Sequence, residues 1–196
     1  MDFEGAKKYI LSRLVQELKP TLFYHNIEHT LNVYESVMEI GKMEGVSGKE
    51  LDLLLTAALF HDAGMITVYE NHEENSCALA KEVLPAYGYF NNEINFVTGL
   101  IRVTQLPQNA RTKQEGILCD ADLNYLGRKD FFIHSFQLQL EWDIHGVKKT
   151  TLKEWLEIQV QFLSSHTYFT DSASALCNDQ KQKILNEIKE LLGLSR

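Results

Sequence analysis

Apolar residues recur at helical spacing along almost the whole of this 196-residue chain, and no segment alternates apolar and polar residues over the length of a strand. A period of about 3.6 residues gives each helix one apolar stripe, whereas a half-buried strand needs a period of two, so the chain is expected to be all-α. Ile10, Leu11, Leu14, Val15 and Leu18 form the first stripe, which Pro20 ends because proline has no N–H to continue the ladder. A second helix takes Asn26 as N-cap and carries Leu31, Tyr34 and Met38 toward Gly41. The segment SGKELDLLLTAALFHDAG opens with Ser47 and Glu50 in capping-box spacing and runs almost wholly apolar from Leu51 to Phe60. It predicts a buried central helix closed by Gly64. Further helices are expected over 73–84, 92–104, 117–126, 130–143, from Thr151 with Glu154 in capping-box spacing, and over 171–192. The total is about eight or nine.

With 44% hydrophobic residues the chain can bury one sizeable core, and its length calls for no second domain, so residues 1–196 are expected to fold as one unit. Lys and Arg number 19 against 27 Asp and Glu, the net charge is -8, and no run of Lys or Arg exceeds two. Such a surface shows no footprint for a non-specific grip on long nucleic acids, so none is expected as a partner, and a bound phosphate would have to be held locally. Cys77, Cys119 and Cys177 are odd in number and sit in apolar helical patterns, which favours reduced thiols over a disulfide frame. The first ten residues lack the basic head and apolar centre of a signal peptide, and no stretch approaches a membrane span. A cytoplasmic protein without a membrane partner is expected; association between copies of the chain is left open.

Two stretches break the apolar logic. The central helix finishes in His61 and Asp62, and buried ionisable groups cost several kcal/mol, on the order of 3–5, unless paired or coordinated. At a frayed helix end the backbone can turn both toward one ion. In ILCDADLNYLG, Asp122 shares a helical face with Leu118, Tyr125 and Leu126, where a core side chain is expected, so it is favoured over Asp120 as an inward ligand. Asp120 is expected to support the site from outside or to favour a helix start. Asp120, Asp122 and Asn124 also match the first three positions of an EF-hand loop. Tyr125 stands where that loop needs Gly and Phe131 where it needs Glu, so calcium is set aside.

YHNIEHT, residues 24–30, is literally H-x-x-E-H, the zinc-helix motif of inverzincin peptidases. A peptidase would leave both other clusters without a function and ranks last. Tyr24-His25-Asn26 with His29, then His61-Asp62, then Asp122, instead resemble in order the HD-domain superfamily of metal-dependent phosphohydrolases. YHNIEHT, HDAG and CDADLNYLG are similar to small bacterial predicted metal-dependent HD phosphohydrolases, and the first motif resembles the histidine-asparagine motif of cyclic-nucleotide phosphodiesterases. The likeness spans about residues 24–127, with a motif-bearing core near 20–130 and appended helices over 130–196.

This resemblance implies an HD-domain-like helical bundle in which His29, His61, Asp62 and Asp122 bind the metal. It further implies a catalytic set of Asp62, His25 as proton donor to the leaving oxygen, and Asn26 beside it. Two imidazoles and two carboxylates suit Mn, Fe, Co, Ni or Zn, with Mg admissible. A metal lowers the pKa of bound water and offsets charge on the phosphoryl group. His72 is the only extra histidine between the His-Asp pair and Asp122, so one protein-held ion is expected, with a second bridged by substrate left open. His72 and Glu73 are candidates to orient water or ligand, and Arg102 to pair with phosphate. His134, His145 and His166 are expected to be structural, and Trp142 and Trp155 to be core. The expected function is hydrolysis of a small phosphate ester, such as a nucleotide or related metabolite. The alternative is a non-catalytic, metal-containing HD ligand-binding module.

Overall fold

A computed structural model describes residues 1–194. Among the described residues there are nine α-helices, three short 3-10 turns and no strand, as the periodicity requires. Helix α1 (Phe3–Glu17) starts where the Asp2 side chain accepts from Gly5 N at 2.9 Å. Val15, placed in its apolar stripe from sequence, is 68% exposed, so the true inward face is Ala6, Ile10 and Leu14. Helix α2 (Ile27–Met43) begins at Asn26, whose Oδ1 accepts from Glu28 N and His29 N.

Helix α3 (Gly48–Phe60) is the axle of the first core, and every residue from Leu53 to Phe60 is buried. Each large side chain so buried stabilises the fold by about 1.5–3 kcal/mol, which explains why this helix can be apolar on all sides. It packs against α1, α2, α5 (Asn91–Arg102) and α6 (Lys113–Asp122). Ser47 makes no capping hydrogen bond, and Gly64 does not close the helix. Instead α3 stops at Phe60, and residues Ala63–Ile66 form a 3-10 turn. Gly64 matters because helix α4 (His72–Val83) passes against it: a Cβ there would lie 2.8 Å from Ser76 N and collide with the His72 carbonyl. Its own N–H donates to Ser76 Oγ at 2.8 Å.

The helix expected over 117–126 starts earlier and ends earlier. Thr112 and Glu115 form a capping box ahead of α6, and the chain tightens into a 3-10 turn at Asn124–Gly127. Gly127 lets this turn touch helix α9 (Asp171–Leu191), since a Cβ would sit 2.6 Å from the Cys177 carbonyl oxygen. Helices α7 (Phe131–Ile144), α8 (Leu152–Ser165) and α9 build a second core around Leu126, Phe131, Leu163, Ile184 and Ile188. Tyr24, from the loop before α2, also belongs to it, so that loop lies at the seam of the two cores.

Asp120 belongs to this seam and not to the candidate site. Fully buried, it accepts from Phe169 N at 2.8 Å, Thr170 N at 2.8 Å and Thr170 Oγ1 at 2.7 Å. The sequence-based expectation that it supports the ligands is therefore corrected: it anchors the chain entering α9.

Candidate metal centre

Three helix ends converge at the seam. The first turn of α2 supplies His29, the residues just past α3 supply His61 and Asp62, and the last residue of α6 is Asp122. His29 Nε2 lies 3.2 Å from His61 Nε2, 3.4 Å from Asp62 Oδ2 and 3.3 Å from Asp122 Oδ1. His61 Nε2 lies 3.1 Å from Asp62 Oδ2 and 3.5 Å from Asp122 Oδ1. Ligands held about 2.0–2.2 Å from one ion stand roughly 3.0–3.5 Å from their neighbours, so this spacing fits a shared cation.

The donor chemistry agrees. His61 Nδ1–H donates to the Ala58 carbonyl at 2.7 Å, which leaves the Nε2 lone pair facing the cluster. Asp62 Oδ2 is buried and takes no hydrogen bond, although two imidazole nitrogens lie beside it. Burial works against charge on every member of this quartet, but mutual attraction outweighs it. His29 is raised, His61 is raised well above its usual value, Asp62 is held well below its own, and Asp122 falls to about 2. Two imidazolium groups would aim like charges at each other over 3.2 Å, whereas one cation satisfies all four groups at once.

The other carboxylate oxygen faces a second group. Asp62 Oδ1 lies 3.2 Å from His72 Nε2, and His72 Nδ1 bonds the Tyr69 carbonyl at 3.0 Å. Burial lowers His72, but Asp62 prevails and lifts it to about 9. Donor atoms of His25, Asp62 and His72 come close enough together to share an ion. Glu73 Oε1 lies 3.6 Å from His72 Nε2, and Glu73 Oε2 is buried without a partner. His72 thus stands beside the quartet, with Glu73 next to it.

His25 lies outside the quartet and is held by a residue the sequence did not reveal. Its ring Nδ1 meets Glu141 Oε1, and Glu141 Oε2 accepts from Tyr24 N at 2.8 Å and His25 N at 3.1 Å. Tyr69 Oη also donates to Glu141 Oε1, at 2.9 Å, and the Tyr69 ring stacks on His145 at 4.4 Å. Burial pushes the fully buried Glu141 carboxyl up, but His25 and the two backbone donors hold it below its usual value. The available signal was an acid on the inward face of α7, in register with Phe131, His134 and Leu138.

Two expectations fail. Asn26 is consumed by the backbone: it caps α2 and its Nδ2 donates to the Phe23 carbonyl at 2.7 Å, so it positions His29 and offers nothing to the cleft. Arg102 is exposed and forked onto Glu74 at 2.6 Å, away from the cleft. Glu28 is also exposed, and His25 and His29 fall in different donor groups, which removes the peptidase arrangement.

A cleft of about 510 Å³ opens from this centre. His25, Asp62, His72 and Asp122 line it together with Leu138, Trp142, Trp155 and Phe162. Trp155 is core as expected, but the half-buried Trp142 also faces the cleft, at 5.2 Å edge-to-face from Trp155. No described helix is long and apolar enough to cross a membrane.

Known proteins are similar to this chain in sequence and in fold. The HD domain family pattern matches residues 26–123, half of the chain. An uncharacterized protein of Clostridium beijerinckii is 33% identical over 76 residues, covering 37% of this chain and 48% of that protein, so the match spans about half of that relative. The crystal structure of a predicted HD superfamily hydrolase from an uncultured Thermotogales bacterium superposes with a TM-score of 0.64 at 21% identity, covering 95% of this chain and 91% of that one. YpgQ of Bacillus subtilis, crystallised in complex with ADP, superposes at 0.63 with 16% identity, covering 96% and 95%.

Proposed function

The chain belongs to the HD-domain family, and from that premise we propose that it is a metal-dependent phosphohydrolase acting on a small phosphate ester, such as a nucleotide. The observation that carries the proposal is the quartet His29, His61, Asp62 and Asp122, with five donor-to-donor distances of 3.1–3.5 Å and with Asp62 and Asp122 lining a ligand-sized cleft. The ADP complex of the Bacillus subtilis neighbour supports a nucleotide.

The quartet would hold a divalent transition ion, which supplies an ionised water near neutral pH and offsets phosphoryl charge. Everything else falls to the chain itself. Ala58 fixes the His61 tautomer, and the Asn26 cap fixes the first turn that carries His29. Glu141 takes the Nδ1–H of His25, so the other ring nitrogen, Nε2, is free for the cleft. In its protonated form His25 then donates from Nε2 to the leaving oxygen while Nδ1–H stays with Glu141. His72, beside Asp62, and Glu73, beside His72, would orient what enters there.

Phosphate release from a panel of nucleotides, sugar phosphates and an aryl phosphate, with Mn, Mg, Co, Ni and Zn, tests the proposal. Release that depends on added metal and disappears in Asp62→Ala is expected. Silence from metal-loaded protein across monoesters and diesters would contradict it.

A further inference from the structure

The two carboxylate oxygens of Asp122 have different partners. Oδ1 faces the quartet, 3.3 Å from His29 Nε2 and 3.5 Å from His61 Nε2. Oδ2 accepts from the Gln108 side chain, whose Nε2 donates to it at 3.1 Å. A hydrogen bond onto an ionised carboxylate is charge-assisted and stronger than one between neutral groups. With one oxygen so held, the carboxylate cannot turn without breaking that bond, and it offers a cation one oxygen in place of two.

The other ligands are oriented from helices. His61 is fixed by the Ala58 carbonyl of its own helix, His29 is carried by the Asn26 cap of its own, and Asp62 Oδ1 meets His72 at the start of α4. Asp122 depends instead on the loop between α5 and α6. It ends α6 whereas the loop enters the start, so residues 108–112 run back beside a helix about 15 Å long before the two side chains meet. Thr104, Gln105 and Leu106 of this loop line the cleft. Among the described residues, the stretch from Leu106 to Ala110 makes one hydrogen bond, and it is the one to Asp122.

We propose that Gln108 is a positioning residue of the metal centre, which holds Asp122 Oδ2 so that Oδ1 is presented to the ion. This rests on the metal-binding half of the proposed function and not on phosphate-ester hydrolysis. Residues that orient a metal ligand in this way are worth tenfold to a hundredfold in metal affinity, to an order of magnitude.

The test strips the full-length chain of metal and titrates it with Co against a chelator of known affinity, following the visible absorption of the bound ion. Gln108→Leu keeps the bulk of the side chain and removes its donor. It is expected to weaken Co binding about tenfold to a hundredfold and, at saturation, to alter the Co absorption band as the Asp122 carboxylate turns. Asn109→Ala, exposed in the same loop, is expected to match the parent in affinity and in band. An unchanged affinity or an unchanged band in Gln108→Leu, or an equal loss in Asn109→Ala, would overturn the assignment and leave the bond as a tether for the loop. A parent chain that binds no Co would remove the metal centre and this role with it. A Gln108→Leu defect in a protein that binds Co but releases phosphate from no ester would contradict the hydrolase alone and leave the role standing.

Discussion

Glu141 on α7 holds His25 across 116 residues of chain, taking its ring Nδ1–H on one carboxylate oxygen and its backbone N–H, at 3.1 Å, on the other. The fold thus uses its C-terminal helices to aim a side chain of the N-terminal motif. Glu141→Gln is expected to lower kcat about tenfold to a hundredfold on esters with poor leaving groups, and much less on an aryl phosphate whose leaving group needs no proton. Metal content should stay unchanged. An equal loss on both substrates would assign Glu141 a structural role only. His25→Ala should show the same leaving-group dependence, more steeply.

Asp120 is a fastening of the second core. Asp120→Ala strips three donors at Phe169 and Thr170 of their acceptor, with an expected cost of about 3 kcal/mol in urea unfolding. Metal stoichiometry at native conditions should be unaffected, which separates this residue from Asp122, two positions on.

Arg102→Ala tests the opposite case. Its partner Glu74 is exposed, and such surface pairs contribute about 0–1 kcal/mol, so neither stability nor phosphate release is expected to change appreciably. A large rise in KM would place Arg102 at the substrate.

His166 makes folding sensitive to acid. Burial first, and the Lys181 ammonium second, push its imidazole down to about 4. The unfolded imidazole titrates near about 6.5, so between those values the unfolded chain binds a proton that the folded chain does not. Stability from this group is complete above about pH 6.5 and is lost as pH falls toward 4, by about 1–2 kcal/mol after allowance for the partly exposed ring. Urea midpoints at pH 7 and pH 5 should fall less in His166→Gln than in the parent. An identical fall in both would exclude the assignment.

What the sequence displayed was whatever follows from local periodicity and local anomaly. The buried run from Leu53 to Phe60 ending in His61-Asp62 showed both the central helix and the polar cluster at its end. Asp122 was legible because it interrupts an apolar face, and Asn26 because a cap has a short-range signature. Asn26 was also expected beside the catalytic histidine, since nothing local shows that its amide is already engaged by Phe23, Glu28 and His29. Gly64 was read as a helix stop, but its role is set by α4, which approaches from elsewhere. Glu141, Tyr69 and the cleft face of Trp142 were invisible for the same reason: their partners lie many residues away, and the contacts exist only after the two cores close on each other.

The proposed phosphohydrolase activity depends on one divalent ion held by His29, His61, Asp62 and Asp122. The most direct measurement strips the metal, adds Mn back in steps and follows bound metal and phosphate release together, in the parent chain and in Asp122→Ala. Release that rises in parallel with occupancy of the protein's metal site, with both lost in Asp122→Ala, is the predicted result. Release that persists in stripped protein, or full metal binding in Asp122→Ala, would contradict it.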